Sequence, residues 1–346
     1  MEEIYAALDV SKEKIVGMWK TKEGRKISEG TFATDEKGMN LLAEKLAGVT
    51  KTVTEASTTG VYVYEFLASK NLAMVMAPPS KIRLIAESDK KTDRNDAEIL
   101  VDLLRTGMLP TCYVPDKDTR ENRDLVRHRQ TIVGIQTILK NKTRSLLSRE
   151  GVICPESDIF GQKALEQLNE LKLPQVQKYA MDSFIVLGNY LLEEEKDFNL
   201  KIYQKYQSNK DAQLLKSMPG VGSLSAVTIM SEIGDIKRFK SHGELASYAG
   251  LVPRVRQSGN TRHDGSLKPG SKILRHILVQ DAWTAIKYSR KLRKFYLKLK
   301  RKKGPKVAIV AVARKMLKIM WFMLTRGEEY LAEKPLRVRS ARSSIR

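Results

Sequence analysis

Four acids stand out in a chain whose net charge is +22: Asp9, Glu55, Asp93 and Asp96. Asp9 and Glu55 fall at the ends of predicted strands, and Asp93 and Asp96 lie three apart on one face of a predicted helix. Brought together, four carboxylates repel one another unless a divalent cation neutralises them, and an all-oxygen donor set suits Mg²⁺ or Mn²⁺. A carboxylate cage on a basic protein points to chemistry on nucleic-acid phosphates, with two ions sharing the attacking and departing oxygens. Asp89 and Asp102 are rivals, although Asp102, six past Asp96, turns off the shared face. Carboxylate spacing is a weak signal alone, and placement at strand ends strengthens it.

A second constellation is the polar stretch Arg254-Val255-Arg256-Gln257-Ser258-Gly259-Asn260-Thr261-Arg262-His263. A serine beside a glycine on such a stretch is ordinarily a turn residue, and nothing in its chemistry alone makes Ser258 a nucleophile. Arg254, Arg256, Arg262 and Lys268 around it could clamp a phosphate. His263 and Asp264 are adjacent in sequence, which does not make them a dyad, so activation of the hydroxyl would fall to a metal ion from another domain.

Two further features suit polyanions. Pro219-Gly220-Val221-Gly222 separates two helical stretches and resembles a helix-hairpin-helix element, in which Gly220 and Gly222 would let backbone N–H groups approach a phosphate; a plain tight turn is the simpler reading. Lys287–Lys306 holds eleven basic residues and no acid. Among them are Lys291, Arg293, Lys294, Lys298, Lys300, Arg301, Lys302 and Lys303, with Tyr288, Phe295 and Tyr296 interleaved for stacking on unpaired bases.

The elements that must position these residues follow from periodicity and punctuation. Apolar strands are predicted at Ile4–Val10, Lys14–Lys20 and Lys26–Phe32, the last two split by a Lys22–Gly24 turn. Asp35 caps a helix to about Leu46, with Leu41, Leu42 and Leu46 on one face. Lys51–Glu55 is a strand, Tyr62–Ser69 a helix, Ala73–Met76 a strand, and Asp93–Thr106 a helix after a charged loop over Glu87–Arg94. Three strands in a meander followed by alternating helix and strand is the order of the ribonuclease-H-like fold. There strand four lies beside strand one, bringing Asp9 and Glu55 close.

Beyond Asp118 a long helix is predicted to about Glu150. Leu125, Ile132, Leu139 and Leu146 recur every seven residues, with Ile135 and Ile138 beside them, so the stripe forms either a coiled-coil seam or ordinary packing within the chain. A second long helix over Val176–Gln207 could pack back on it. Helices at Leu224–Ile233 and His242–Ala249, a polar loop over Pro253–Gly270 and a helix over Ser271–Tyr288 complete the pattern. The expected organisation is α/β followed by all-α. It comprises a catalytic domain at 1–110, a long-helix oligomerisation region at 111–211, a mainly helical domain at 212–330 and a basic tail at 331–346.

Composition narrows the class. Lys and Arg outnumber Asp and Glu by 62 to 40 in 346 residues, an excess that favours a DNA or RNA partner. Cys112 and Cys154, with four scattered histidines, make neither a disulfide framework nor a zinc motif. No signal peptide is evident at the N-terminus. Val307–Leu324 carries Arg314, Lys315 and Lys318 and reads as amphipathic rather than membrane-spanning. A prokaryotic cytoplasmic, nucleoid-associated location is expected, with no membrane partner.

Taken together, the motifs resemble the DEDD insertion-sequence transposases. Leu8-Asp9-Val10-Ser11-Lys12, Glu55-Ala56-Ser57 and Lys91-Thr92-Asp93-Arg94-Asn95-Asp96-Ala97 match the family's N-terminal domain, which is similar to the RuvC resolvase. Pro219-Gly220-Val221-Gly222, Tyr248-Ala249-Gly250-Leu251-Val252-Pro253 and Gln257-Ser258-Gly259 match its C-terminal signature. The resemblance covers the chain to about Arg326. It implies that Asp9, Glu55, Asp93 and Asp96 hold the metal, and that Ser258 attacks a DNA phosphate to form a covalent phosphoserine link. It also implies a site assembled from two subunits of a tetramer, and a structured bridge RNA pairing with donor and target DNA. Piv-type DNA invertases share the layout and would act without RNA, and a non-catalytic nucleic-acid-binding relic is a third reading. After Glu55 the chain reads Ala-Ser-Thr-Thr-Gly-Val-Tyr, slightly longer than the family's usual segment.

Overall fold

The computed structural model describes residues 2–82, 93–153, 156, 158–258 and 261–331, with only the backbone described at 255–258, 261–264 and 266. The chain forms two compact units, Met1–Val114 and Pro115–Arg346.

The first unit is built on a five-stranded sheet ordered β3-β2-β1-β4-β5. Its strands are β1 (Ile4–Val10), β2 (Lys14–Thr21), β3 (Lys26–Ala33), β4 (Lys51–Glu55) and β5 (Met74–Ala77). The first three form an antiparallel meander, while β4 runs parallel to β1 and β5 parallel to β4. Ala6, Leu8, Ile15 and Trp19 pack on one face against Met39, Leu42 and Leu46 around α1 (Glu36–Lys45) and Val63 and Leu67 of α2 (Thr58–Ser69). Ala7, Met18, Val53 and Ala77 pack on the other face. They meet Ile82 of α3 (Pro79–Ile82) and Ala97, Leu100, Val101 and Leu104 of α4 (Asp93–Arg105). The central strands, covered on both sides, therefore read as near-continuous apolar runs, whereas β3 at the edge alternates. Leu41 is 51% exposed, so the apolar face of α1 runs through Met39 and Leu42 instead. The helix after Glu55 begins at Thr58, four residues earlier than expected, because Ser57 caps it by accepting from Gly60 N–H.

The second unit opens with α5 (Lys117–Arg149) and α7 (Gln175–Ser208), joined through α6 (Gln162–Glu170). The heptad stripe is buried inside the chain: Leu139 and Leu146 pack with Phe160, Leu168 and Met181. Gln136 Nε2 donates to Leu191 O at 3.0 Å, tying the two long helices together. Ile138 is 58% exposed and lies off that seam. Intrachain packing thus takes up the seam, and α6 is an addition to the predicted pattern.

A larger core gathers α8 (Lys210–Lys216), α9 (Ser223–Ile233), α10 (His242–Tyr248), α11 (Lys272–Tyr288) and α12 (Arg290–Arg326). The basic run and the expected amphipathic helix belong to one element, α12, kinked at Gly304 (φ 78°) before Pro305. The stretch expected as a polar loop is instead an antiparallel hairpin, β6 (Pro253–Ser258) with β7 (Thr261–Leu267). Ser258 pairs with Thr261, and the sequence between them is Gly-Asn, a dipeptide suited to tight hairpins. Among the described residues no helix is long and apolar enough to cross a membrane.

Candidate functional site

Strand register decides how the first two acids meet. Leu8 of β1 stands opposite Thr54 of parallel β4, so one further step sets Asp9 beside Glu55. Side chains on a strand alternate between faces, and Asp9 follows Ala7 while Glu55 follows Val53, both on the face covered by α4. A Cβ at Gly60 would lie 2.2 Å from Glu55 O, so only glycine lets the first turn of α2 close directly over the end of β4.

The other two acids come from the start of α4. Its buried stripe runs through Ala97, Leu100 and Leu104. Asp93 and Asp96 stand four residues before Ala97 and Leu100, extending that stripe at helical spacing toward the same end of the sheet. Two charged contacts align the helix along β2. At its start Lys14 Nζ lies 2.7 Å from Asp93 Oδ2, and further along Lys20 Nζ lies 2.8 Å from both Glu98 and Asp102. Asp102, a rival for the metal set, is thus committed to a half-buried ion pair and also receives Arg105 Nε at 2.7 Å. The other rival, Asp89, lies outside the described residues.

The hydrogen bond from Lys14 holds the Asp93 carboxyl below its ordinary range. Bonding to Asp93, then its charge, holds the Lys14 ammonium above its own, with Asp9 adding in the same direction. A polar groove of about 690 Å³ opens here, lined by Lys14, Glu29, Gly30, Thr31, Asp93 and Arg94 among others. Arg94 Nε rests 2.9 Å from Glu29.

Among the described residues, no three carboxylate, histidine or cysteine side chains converge tightly enough to hold a metal ion. The donor chemistry nonetheless fits a hard divalent cation: the groups are carboxylate oxygens at one end of one sheet, and an ammonium already sits on Asp93 within the field of Asp9.

In the second unit Ser258 closes β6 at the tip of the hairpin. Arg256 lies on β6 opposite His263, and Arg262 lies on β7 opposite Gln257, whereas Arg254 and Lys268 are near the hairpin base. Gly220 (φ 91°) and Gly222 lie between α8 and α9. Their roles separate. A Cβ at Gly220 would fall 2.5 Å from Asp281 O and 2.7 Å from Ala285 N, so its missing side chain admits α11. Gly222 is the N-cap of α9, without a side-chain cap, and nothing would meet its Cβ within 4 Å.

On α12 the basic side chains Lys291, Arg293, Lys294, Lys298, Lys300, Arg301, Lys302 and Lys303 are all exposed. The aromatic interleaving does not survive as a stacking platform. Tyr296 is 6% exposed, edge-on to Trp283, and Phe295 packs partly against the core beneath Lys315. Tyr288 is 54% exposed. Positions 292, 296 and 299 form the buried stripe of that helix segment, and their 3–4 spacing is the signal that Tyr296 belongs inside.

Comparison with known proteins finds matches along most of the chain. Residues 6–151 match the DEDD family model for IS110 elements, described as a transposase, and residues 212–297 match the family described as Transposase IS116/IS110/IS902. The chain is 30% identical over 232 residues to a putative transposase, y4qE, of Sinorhizobium fredii, a match covering 66% of this chain and 57% of that protein. It is 28% identical over 294 residues to the transposase for insertion sequence element IS1111A of Coxiella burnetii, covering 80% and 78%. An insertion element IS110 protein of Streptomyces coelicolor, 43.6 kDa and uncharacterized, aligns at 24% identity over 98% of both chains.

Proposed function

We propose, from the matches of residues 6–151 and 212–297 to two transposase family models, that the chain is a member of the IS116/IS110/IS902 family and a divalent-metal-dependent DNA recombinase that moves an insertion sequence, guided by a structured bridge RNA pairing with donor and target DNA. The observation that supports the metal-dependent part of this reading is the placement of Asp9 beside Glu55, with the acidic start of α4 at the same end of the sheet; RNA guidance rests on the family resemblance. Asp9, Glu55, Asp93 and Asp96 hold Mg²⁺ or Mn²⁺, which supplies positive charge for a phosphate in the transition state.

Ser258 provides the nucleophile. Its Oγ forms a bond to phosphorus as one bridging P–O bond of the DNA breaks, and the hydroxyl proton leaves to the departing sugar oxygen through solvent. Attack by a second sugar hydroxyl on the phosphoserine reverses the exchange and restores the serine. No net hydrolysis occurs, so the bond energy is retained for joining. Arg254, Arg256, Arg262 and Lys268, with the exposed basic side chains of α12 and the N-terminal end of α9 at Gly222, hold the backbones of DNA and RNA, Gly220 serving the turn against α11.

The proposed functional division assigns metal chemistry to 1–110, assembly to 111–211, serine and nucleic-acid contacts to 212–330, and a basic tail to 331–346. Exposed apolar residues on the long helices, Ile138, Tyr179, Val186 and Tyr190 among them, supply the faces through which dimers and then tetramers form. The setting is the prokaryotic cytoplasm, at the nucleoid.

The test is a covalent adduct. DNA carrying the ends of the element should become linked to the wild-type chain through Ser258, identified by mass spectrometry, and Ser258→Ala should lose the link while retaining DNA binding. An adduct persisting in that variant overturns the serine assignment. A discrete RNA co-purifying with the protein supports guidance, and RNA-free protein that recombines DNA would favour an unguided invertase instead.

A further inference from the structure

The hairpin that carries Ser258 stands on one buried acid, Glu232, which no motif singles out. Glu232 is 1% exposed in the last turn of α9. Its Oε1 receives both Nε and Nη2 of Arg127 on α5, at 3.0 and 2.9 Å. Its Oε2 receives Ser271 Oγ at 2.9 Å, and its main-chain oxygen receives Tyr248 OH at 3.1 Å and Arg123 Nη2 at 2.9 Å. The buried carboxylate thus receives three bonds, two of them from one guanidinium, while the main-chain oxygen beside it receives two more, so Glu232 is held in one geometry.

Tyr248 and Ser271 are the two legs of the hairpin. Tyr248 stands five residues before β6 begins at Pro253, and Ser271 four residues after β7 ends at Leu267. The legs cross without a gap. Ser271 N–H donates to Tyr248 O at 2.9 Å, and Lys268 N–H donates to Val252 O at 2.9 Å. A Cβ at Gly270 would lie 2.4 Å from Gly250 N and 2.6 Å from Tyr248 O. Ser271 also caps α11 by accepting from Leu274 N–H at 3.1 Å. One residue therefore fixes the entry strand, the exit strand and the helix that follows, and refers all three to α5.

We infer that Glu232 is the positioning residue of the serine hairpin. It fixes the direction in which β6 leaves the core and hence where Ser258 is presented, while touching neither DNA nor the reacting atoms. The inference rests on Ser258 being the nucleophile proposed above, whose Oγ–P bond replaces a bridging P–O bond of the DNA. A small loss of register at the base of a hairpin is magnified at its tip, and misplacement of a nucleophile by about 1 Å can cost on the order of 10²-fold in rate.

The experiment compares adduct formation with DNA binding, on a duplex carrying the ends of the element, in Ser271→Gly, Tyr248→Phe, Glu232→Gln and Glu232→Ala. Ser271→Gly keeps an acceptable N-cap while deleting the bond to Glu232, and Tyr248→Phe deletes one hydroxyl. Both should slow adduct formation at saturating DNA by roughly tenfold or more, by the misplacement argument, with the DNA dissociation constant unchanged within about twofold. Glu232→Gln, which keeps the size and an accepting oxygen, should recover part of what Glu232→Ala loses. If Glu232→Ala does not fold, the two leg variants decide the matter. Wild-type adduct rates in both leg variants would overturn the inference, and so would equal loss of rate and binding in step with a fall in melting temperature. Absence of a Ser258 adduct in the wild-type chain would instead overturn the serine reading, a distinguishable failure.

Discussion

Lys14 Nζ lies 2.7 Å from Asp93 Oδ2, on one of the acids that a metal would draw on. Asp93 is held below its ordinary range and Lys14 above its own. Both therefore stay charged across neutral pH, and a cation held by Asp93 would displace an ammonium rather than a proton. Lys14→Met should tighten Mn²⁺ binding by up to roughly fivefold, the scale of an exposed ion pair. Calorimetric titration of the full chain checks this. Weaker binding in the variant would show that Lys14 helps build the site instead of occupying it.

The two glycines between α8 and α9 should respond in opposite ways. Gly220→Ala forces a methyl to within 2.5 Å of Asp281 O at a φ of 91° and should destabilise the second unit by about 2 kcal/mol or more. Gly222→Asp places a capping carboxylate at the open start of α9 and should leave stability equal or about 0.5–1 kcal/mol higher. The same charge should weaken DNA binding if phosphate approaches that end of α9. Urea midpoints and filter-binding isotherms separate the effects.

Asp281 is 3% exposed, with Oδ1 receiving Ser225 Oγ at 2.6 Å and Oδ2 without a partner among the described residues. Burial raises its carboxyl from 3.8 to about 7, against the smaller effect of the serine bond. A raised acid favours the protonated native state. Its cost is absent below 3.8, grows as pH rises and is complete above about 7. Asp281→Asn should therefore be more stable than wild type at pH 8 by up to about 4 kcal/mol, from 1.36 kcal/mol per unit, and should lose most of that advantage at pH 4.5. Denaturation curves at the two values check the sign.

Changing Lys300, Arg301, Lys302 and Lys303 to glutamine removes four exposed charges from α12 without touching its buried stripe. Melting temperature should hold. The slope of log binding constant against log salt should fall by about 0.9 for each duplex DNA phosphate that is no longer neutralised. An unchanged slope would mean that this segment of α12 is a solvated face.

Much of the first unit is legible because its signals are local. Ile4–Val10 and Lys51–Glu55 announce themselves by apolar or β-branched runs, and the strand order follows from the sequence of elements. Asp9 and Glu55 can be paired in advance because a parallel register aligns the carboxyl ends of neighbouring strands. The second unit hides more. The heptad of α5 is visible, but its partner inside the chain is not, since an apolar stripe states that it will be covered and not by what. The β6–β7 hairpin reads as a loop although Gly-Asn between Ser258 and Thr261 carries its signal, masked by the density of arginine around it.

By itself, then, the sequence singled out the candidate residues: four acids at strand ends and on one helix face, a serine beside a glycine, and a basic stretch, because composition, periodicity and spacing are properties of neighbouring residues. Only tertiary structure decided which charges meet. Lys14 on Asp93, Lys20 on Asp102, Gly220 against α11 and Glu232 beneath the hairpin join residues far apart in the chain as readily as near neighbours, and no local pattern marks them. For Lys20 and Glu232, burial is the physical reason. Water would screen these groups in an unfolded chain, but a packed interior requires each buried donor and acceptor to find a partner, and the fold selects it.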